Sequence, residues 1–292
     1  MERLRRQVKE WRPLYFVLVF IFLLAAAGCT PKTSGVPSST PRATSPAISV
    51  SGSGSALPLV QRLATNYGQT HPLAQFHFDT GTNSGGAIQG VISGTLDLAV
   101  VNRRLSESES KEPLNYRPFA VDVVAFAVHT PNPVGALSTA EVRGIYGGDL
   151  TRWDQLGGGG EPIVVLDRDV EESSRQLVLL PIMAGRHVGA RAAVLNSAAD
   201  MISALESTPQ SIGYTSLGLL RLLGPKAVRP LALDGVAPSP ESEGQVTYPW
   251  RMAFAIVSRR DAPKSALEFL DFVTGEAGRR LISQLGFATP KP

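Results

Sequence analysis

One cysteine, Cys29, is all the chain has, so neither an internal disulfide nor a cysteine-based metal site is open to a single copy. Histidine is almost as scarce: His71, His77, His129 and His187 lack the spacing of a metal-binding pair, and no Gly-x-Ser-x-Gly elbow occurs. With neither a metal cluster nor an activated nucleophile in view, an enzyme is not expected, and no catalytic residue, metal or cofactor is assigned. Positive charge is missing where a nucleic-acid partner would need it. The formal net charge of +3 comes from the leader, where Arg3, Arg5, Arg6, Lys9 and Arg12 face only Glu2 and Glu10. The remainder is formally neutral, which excludes the electrostatic footprint of DNA or RNA binding. The uninterrupted apolar run Leu14 to Ala27 is 14 residues long, short for a membrane span but suited to the core of a signal peptide.

That run ends in Ala26-Ala27-Gly28-Cys29, which resembles the bacterial lipobox, with Ala26 standing where the motif most often has Leu. The resemblance implies a signal peptide over 1–28 and a lipidated Cys29 at the start of the mature chain; the alternative is an uncleaved N-terminal anchor. Either places the remainder outside the cytoplasm, at the cell envelope and facing the periplasm or exterior. From Thr30 to Pro46 the residues are Pro, Ser, Thr, Gly, Ala and Val, with only Lys32 and Arg42 charged, so 29–46 reads as a flexible tether.

Beyond the tether, apolar periodicity predicts a strand over 47–50, a helix over 57–69, a strand around Phe76 and Phe78, a helix over 87–93 and a strand over 96–101. Strand and helix alternating in this way is the signature of an α/β domain with a largely parallel sheet. Further strands are expected over 121–128, 163–166, 211–216 and 251–258. Helices are expected over 139–146, 174–180, 200–205, 262–274 and 277–285. Two Gly/Ser stretches, Ser51 to Ser55 and Thr80 to Gly86, each close a strand and open a helix. Helix N-termini carry unpaired N–H groups and partial positive charge, and ligands in such sheets bind beyond the carboxyl ends of the strands. The pair therefore reads as a cradle for an oxyanion.

The order of motifs resembles the substrate-binding protein of the phosphate ABC importer, within the two-lobed periplasmic binding proteins. The matching passages are Ser51 to Pro58, Gly81 to Gly94, Gly94 to Leu98 leading to Asn102-Arg103, Leu137 to Tyr146 with Trp153, Ile212-Gly213-Tyr214, Tyr248-Pro249, and Phe269 to Gly286. The resemblance implies an α/β, two-lobed periplasmic-binding-protein fold (type II), each lobe a mostly parallel sheet flanked by helices, with the ligand cleft between lobes. Lobe one would comprise 47–122 and 247–292, and lobe two 123–246. The function implied is reversible capture of phosphate or a related oxyanion by a monomeric, lipid-anchored protein that passes it to ABC permease subunits. The alternative is a sensor or envelope interaction lipoprotein that keeps the fold with an altered or lost anion site.

Carried over residue by residue, the resemblance implies ligand contacts at Ser55, Ala56 and Leu57, with backbone donation unaffected by Ala56 in place of a hydroxyl residue. It implies further contacts at Asn83, Ser84 and Gly85, at Asn102 and Arg103, and at Arg168, Ser173 and Ser174. Two departures bear on specificity. Asn102 stands where phosphate binders can have a carboxylate, which accepts the proton that phosphate carries and repels sulfate. Glu172 stands where a hydroxyl is usual, so either it turns outward or the ligand is not phosphate. Taken singly, Ser55, Ser173 and Ser174 also fit helix N-caps, Arg103 and Arg168 fit ion pairs, and Trp153, Tyr214 and Tyr248 fit packing.

Overall fold

The structure, a computed structural model, describes residues 47–80, 82–189, 191–241 and 248–290. The leader, Cys29 and the tether lie outside the described residues. Among the described residues no helix is long and apolar enough to cross a membrane.

The first half opens with β1 (Ile48–Gly52), α1 (Leu57–Thr70), β2 (Phe76–Asp79), α2 (Ser84–Ser93) and β3 (Leu98–Val101). The 16-residue β4 (Leu114–His129) follows, then β5 (Ala136–Leu137), α3 (Thr139–Gly147) and β6 (Val164–Arg168). Next come α4 (Leu180–Met183), β7 (Ala193–Leu195), α5 (Ala198–Ser207), β8 (Ser211–Ser216), α6 (Leu217–Leu223), β9 (Val228–Pro230) and β10 (Ala232–Leu233). The chain closes with β11 (Arg251–Arg259), α7 (Lys264–Thr274) and α8 (Glu276–Gln284).

The strands run β2-β1-β3-β11-β4-β8-β6-β7, with β9 beside β4. The parallel pairing expected from strand–helix alternation occupies the two wings, β2-β1-β3 and β8-β6-β7. In the middle β11 and β4 pair antiparallel, a connection between distant segments that no local pattern announces. β4 changes partner partway along. Leu114 to Val123 pair with β11 and Val124 to Val128 with β8. At the changeover the fully buried Asp122 accepts from the N–H of Val123 at 2.8 Å, the N–H of Gly218 at 3.0 Å and the hydroxyl of Ser216. Its burial outweighs these donors and pushes the carboxyl up to about 6.

β3 is buried on both faces, as a central strand must be. Leu98 and Val100 join the core that contains α1 and α7, while Ala99 and Val101 meet Ala87, Ile88 and Val91 of α2. α1 presents Leu59, Val60, Leu63, Ala64 and Tyr67 to that core, and Tyr67 packs edge-on to Phe269 with ring centroids 5.4 Å apart. In the other half Phe126, Tyr146 and Tyr214 form a buried triangle with centroids 5.9–6.1 Å apart.

The helix expected over 174–180 begins as a π-helical turn, Arg175–Leu179, that runs into α4. Pro181 explains the widening, because it has no N–H for the carbonyl four residues back and its ring crowds that carbonyl.

Because β1, β2 and β3 are parallel, their carboxyl ends lie along one edge, and the segments that follow them (Ser53 onward, Thr80 onward, Asn102 onward) are neighbours. Gly52 makes this closeness possible. Its φ is +148°, and a Cβ there would lie 1.9 Å from the carbonyl oxygen of Val100.

Candidate functional site

Three of the expected residues meet through side-chain hydrogen bonds. Ser84 Oγ donates to Asn102 Oδ1 at 2.9 Å, Asn102 Nδ2 donates to Ser55 Oγ at 3.2 Å, and Ser55 Oγ lies 2.9 Å from Ser53 Oγ. All four side chains are buried. With the Asn102 amide occupying a lone pair of Ser55, the hydrogen of that hydroxyl is left for Ser53 or an incoming acceptor. Asn102 therefore ties the loops together, using its oxygen for Ser84 and its nitrogen for Ser55.

Several expectations for these loops need correction. The N–H groups of Ala56 and Leu57 are already bonded to the carbonyl of Ser53, at 3.0 and 2.8 Å, because the loop closes as a tight turn before α1. Neither is a free donor, so Ser55 is what the stretch offers through its side chain. Ser55 is not a helix cap either, since the N-cap of α1 is Ala56. Asn83 is a cap, its Oδ1 accepting from the N–H of Gly86 at 3.0 Å. The first-turn N–H groups of Ser84 and Gly85 have no acceptor within α2. A Cβ on Gly85 would lie 3.6 Å from Arg103 Nη2, so the arginine borders this helix start.

Arg103 is forked onto Glu109, with Nη1–Oε2 and Nη2–Oε1 both at 2.8 Å, as its ion-pair reading anticipated. The Arg103 hydrogen bonds hold the Glu109 carboxyl down to about 2. Since the folded value lies below the usual 4.5, the unfolded chain binds more protons between the two. The pair's contribution is whole above about pH 4.5 and disappears as the pH falls towards 2. Allowing for solvent at the 30 % exposed Arg103 side chain, it amounts to about 2 kcal/mol. Glu109→Gln is therefore expected to lower the urea midpoint at pH 6, with the gap to wild type shrinking by pH 3. A gap of equal size at both pH values would deny the pair this role.

The second group sits at the carboxyl end of β6. Arg168 is 3 % exposed, and its Nη2 lies 3.2 Å from both the carbonyl oxygen of Asn196 and Glu172 Oε1. Its Nε is buried with no hydrogen-bond partner among the described residues. Glu172 does not turn outward. Its other oxygen, Oε2, accepts from Ser174 Oγ at 3.1 Å and from the Ser174 N–H at 3.4 Å. Ser174 makes no helix cap, since its hydroxyl is given to Glu172. Beneath them Asp167 accepts from Arg175 Nε at 3.0 Å and from Tyr214 Oη at 2.7 Å, which fixes the end of β6. Tyr214 is thus a packing and anchoring residue. Trp153, bonded to the Gln210 carbonyl at 2.9 Å, and the buried Tyr248 are likewise part of the interior.

A cavity of ≈ 610 Å³ is lined by Asn102, Arg103, Arg104, Val121, Ser173, Gln176, Leu177, Arg251, Met252 and Ala253. It brings Asn102 and Arg103 from the first wing together with Ser173 from the second. Arg168, Ser174, Ser55 and Ser84 do not line it, though Ser55 and Ser84 are bonded to Asn102, which does. Three guanidinium-bearing residues and no carboxylate line it, which suits an anion. Arg104 and Arg251 were not among the expected residues. Arg104 adjoins Arg103, and Arg251 follows the matching Tyr248-Pro249, so both had a signal in sequence; Glu109 had none.

Comparison with known proteins shows which family the chain resembles along its length. The chain is 24% identical over 248 residues to the phosphate-binding protein PstS of Borreliella burgdorferi, covering 82% of this chain and 88% of that one. It is 24% identical over 277 residues to PstS of Bacillus subtilis, covering 92% and 90%. The ABC-type phosphate transport receptor from Vibrio cholerae matches with a TM-score of 0.64 at 28% identity, covering 83% of this chain and 100% of that one. A substrate-binding protein from Clostridium perfringens, assigned to a phosphate ABC transporter and holding phosphate, matches with a TM-score of 0.75 at 24% identity, covering 84% and 100%. These neighbours share the two-lobed α/β fold. With the PBP superfamily domain model matching residues 36–277, the chain belongs to the PBP superfamily.

Proposed function

We propose that this protein captures phosphate outside the cytoplasm and delivers it to the permease of an ABC importer, without chemistry on the ligand. The observation that carries the reading is the meeting of Asn102, Arg103 and Ser173 around one basic cavity at the carboxyl ends of the strands. Relatives along most of the chain's length that are named for phosphate binding support it. The lobe division at 47–122 with 247–292 against 123–246 gains support from β4, which changes partner between Val123 and Val124. Closure about such a crossing would press Ser173 and Arg168 towards Asn102 and Arg103 around the anion. Lipidation at Cys29 and a monomeric state belong to the same proposal.

Calorimetric titration of the full chain in detergent, stripped of carried-over ligand, tests this reading. Phosphate is expected to bind with micromolar or tighter affinity, about −8 kcal/mol or better. Absence of both heat and thermal shift with phosphate would overturn the reading and favour the non-transport alternative.

Asn102 sets a specificity expectation. Its Oδ1 accepts without charge, so it discriminates weakly between protonated phosphate and proton-free sulfate. Asn102→Asp keeps the acceptor for Ser84, exchanges the donor to Ser55 for an acceptor of its hydroxyl hydrogen, and adds a charge that favours a P–OH donor while repelling sulfate. The phosphate-to-sulfate affinity ratio is expected to rise by about tenfold, the scale of one charged hydrogen bond. An unchanged ratio in paired titrations would remove Asn102 from contact with the ligand.

A further inference from the structure

Glu172, a carboxylate of the second wing, holds side-chain donors expected to hold an oxyanion. One of its oxygens is 3.2 Å from Arg168 Nη2, and the other takes the Ser174 hydroxyl at 3.1 Å and the Ser174 N–H at 3.4 Å. Its side chain is 14 % exposed, against 3 % for Arg168. A carboxylate resembles one face of a tetrahedral oxyanion in charge and in the separation of its oxygens, so these donors receive it as they would receive ligand. The fit is incomplete, because the buried Arg168 Nε is left without a partner. A buried guanidinium N–H without an acceptor is costly, and an acceptor with more oxygens than a carboxylate would satisfy it.

We propose that Glu172 is a tethered internal competitor that occupies the oxyanion donors of Arg168 and Ser174 in the ligand-free protein and must leave them for the anion to bind. The proposal rests on the phosphate-binding reading and adds a determinant of its affinity. Only the fraction of molecules with Glu172 displaced is competent, and apparent affinity is reduced by that fraction. A dianion that arrived with Glu172 still in place would also meet a negative charge on the same arginine, so occupancy selects ligands able to outcompete a carboxylate.

The test compares phosphate titrations of the full-length wild type, Glu172→Gln, Glu172→Ala and Glu171→Gln. Glu171 is exposed and bears the same charge one residue away, so its variant reports the effect of net charge alone. Both Glu172 variants are expected to bind phosphate at least about tenfold more tightly than wild type, as release of a site competent about a tenth of the time requires, with Glu171→Gln unchanged. Equal affinity of wild type and both Glu172 variants would overturn the proposal while leaving phosphate binding intact, and would make Glu172 a local brace for Ser174. Weaker binding in both would also overturn it, making Glu172 a contact of the ligand. Equal tightening by Glu171→Gln would reduce the effect to charge and overturn occupancy. No binding by any of the four proteins would overturn the phosphate reading and the proposal with it.

Discussion

Gly52→Ala is expected to destabilise the protein by about 3–5 kcal/mol and to abolish phosphate binding in whatever folded protein remains. The new Cβ would stand 1.9 Å from the oxygen, 2.7 Å from the carbon and 2.8 Å from the nitrogen of Val100. All three are backbone atoms of the central strand β3, so no flexible side chain can swing aside. The φ of +148° is itself a region that residues with a Cβ rarely adopt. Relief requires moving β1 from β3, which breaks the bond from the N–H of Ser53 to the Val100 carbonyl at 2.8 Å. That bond aims the loop bearing Ser53 and Ser55 at Asn102, so strain at Gly52 reaches the binding residues directly. Gly68→Ala is the control. It lies within α1, a Cβ there meets nothing within 4 Å, and it is expected to raise stability by about 0.5–1 kcal/mol. Urea denaturation of both variants, with phosphate titration, checks the pair; equal midpoints for Gly52→Ala and wild type would contradict the steric argument.

The elements legible in the sequence were those whose signal is local. α1 follows from the spacing of Leu59, Val60, Leu63 and Tyr67, and β3 from a dense run of small and branched apolar residues. α2 begins at Ser84, three residues before its apolar spacing resumes, because Asn83 reaches forward to cap Gly86. β4 begins at Leu114, seven residues before the apolar run that predicts it, since Asn115, Tyr116, Arg117 and Pro118 carry no strand periodicity and are held by pairing with the distant β11. Site geometry was less legible for the same physical reason. The family resemblance marked Arg103 and Arg168 as anion-binding candidates, but their present partners, Glu109 and Glu172, are set by side-chain direction, which sequence spacing does not encode. The loss of the Ala56 and Leu57 donors likewise depends on how one turn closes.

Arg168→Met is expected to weaken phosphate binding by at least about 100-fold and also to cost about 3 kcal/mol of stability, and the two effects have different origins. Arg168 is buried where β6 ends beside Leu195 of β7, with its guanidinium bonded to the next carbonyl, that of Asn196. Methionine fills much of the stem's volume but leaves Glu172 mostly buried without its cation, and an uncompensated carboxylate accounts for most of the stability loss. Adding Glu172→Gln removes that charge, so the double variant is expected to recover most of the lost stability. It should not recover binding, because the Arg168 donors are still gone. The two measurements thus separate a structural arginine from a ligand-binding one: stability follows the pair, whereas affinity follows Arg168. If the double variant binds phosphate as tightly as Glu172→Gln alone, Arg168 serves only to neutralise Glu172. The anion would then be held by Asn102, Arg103 and Ser173 around the cavity.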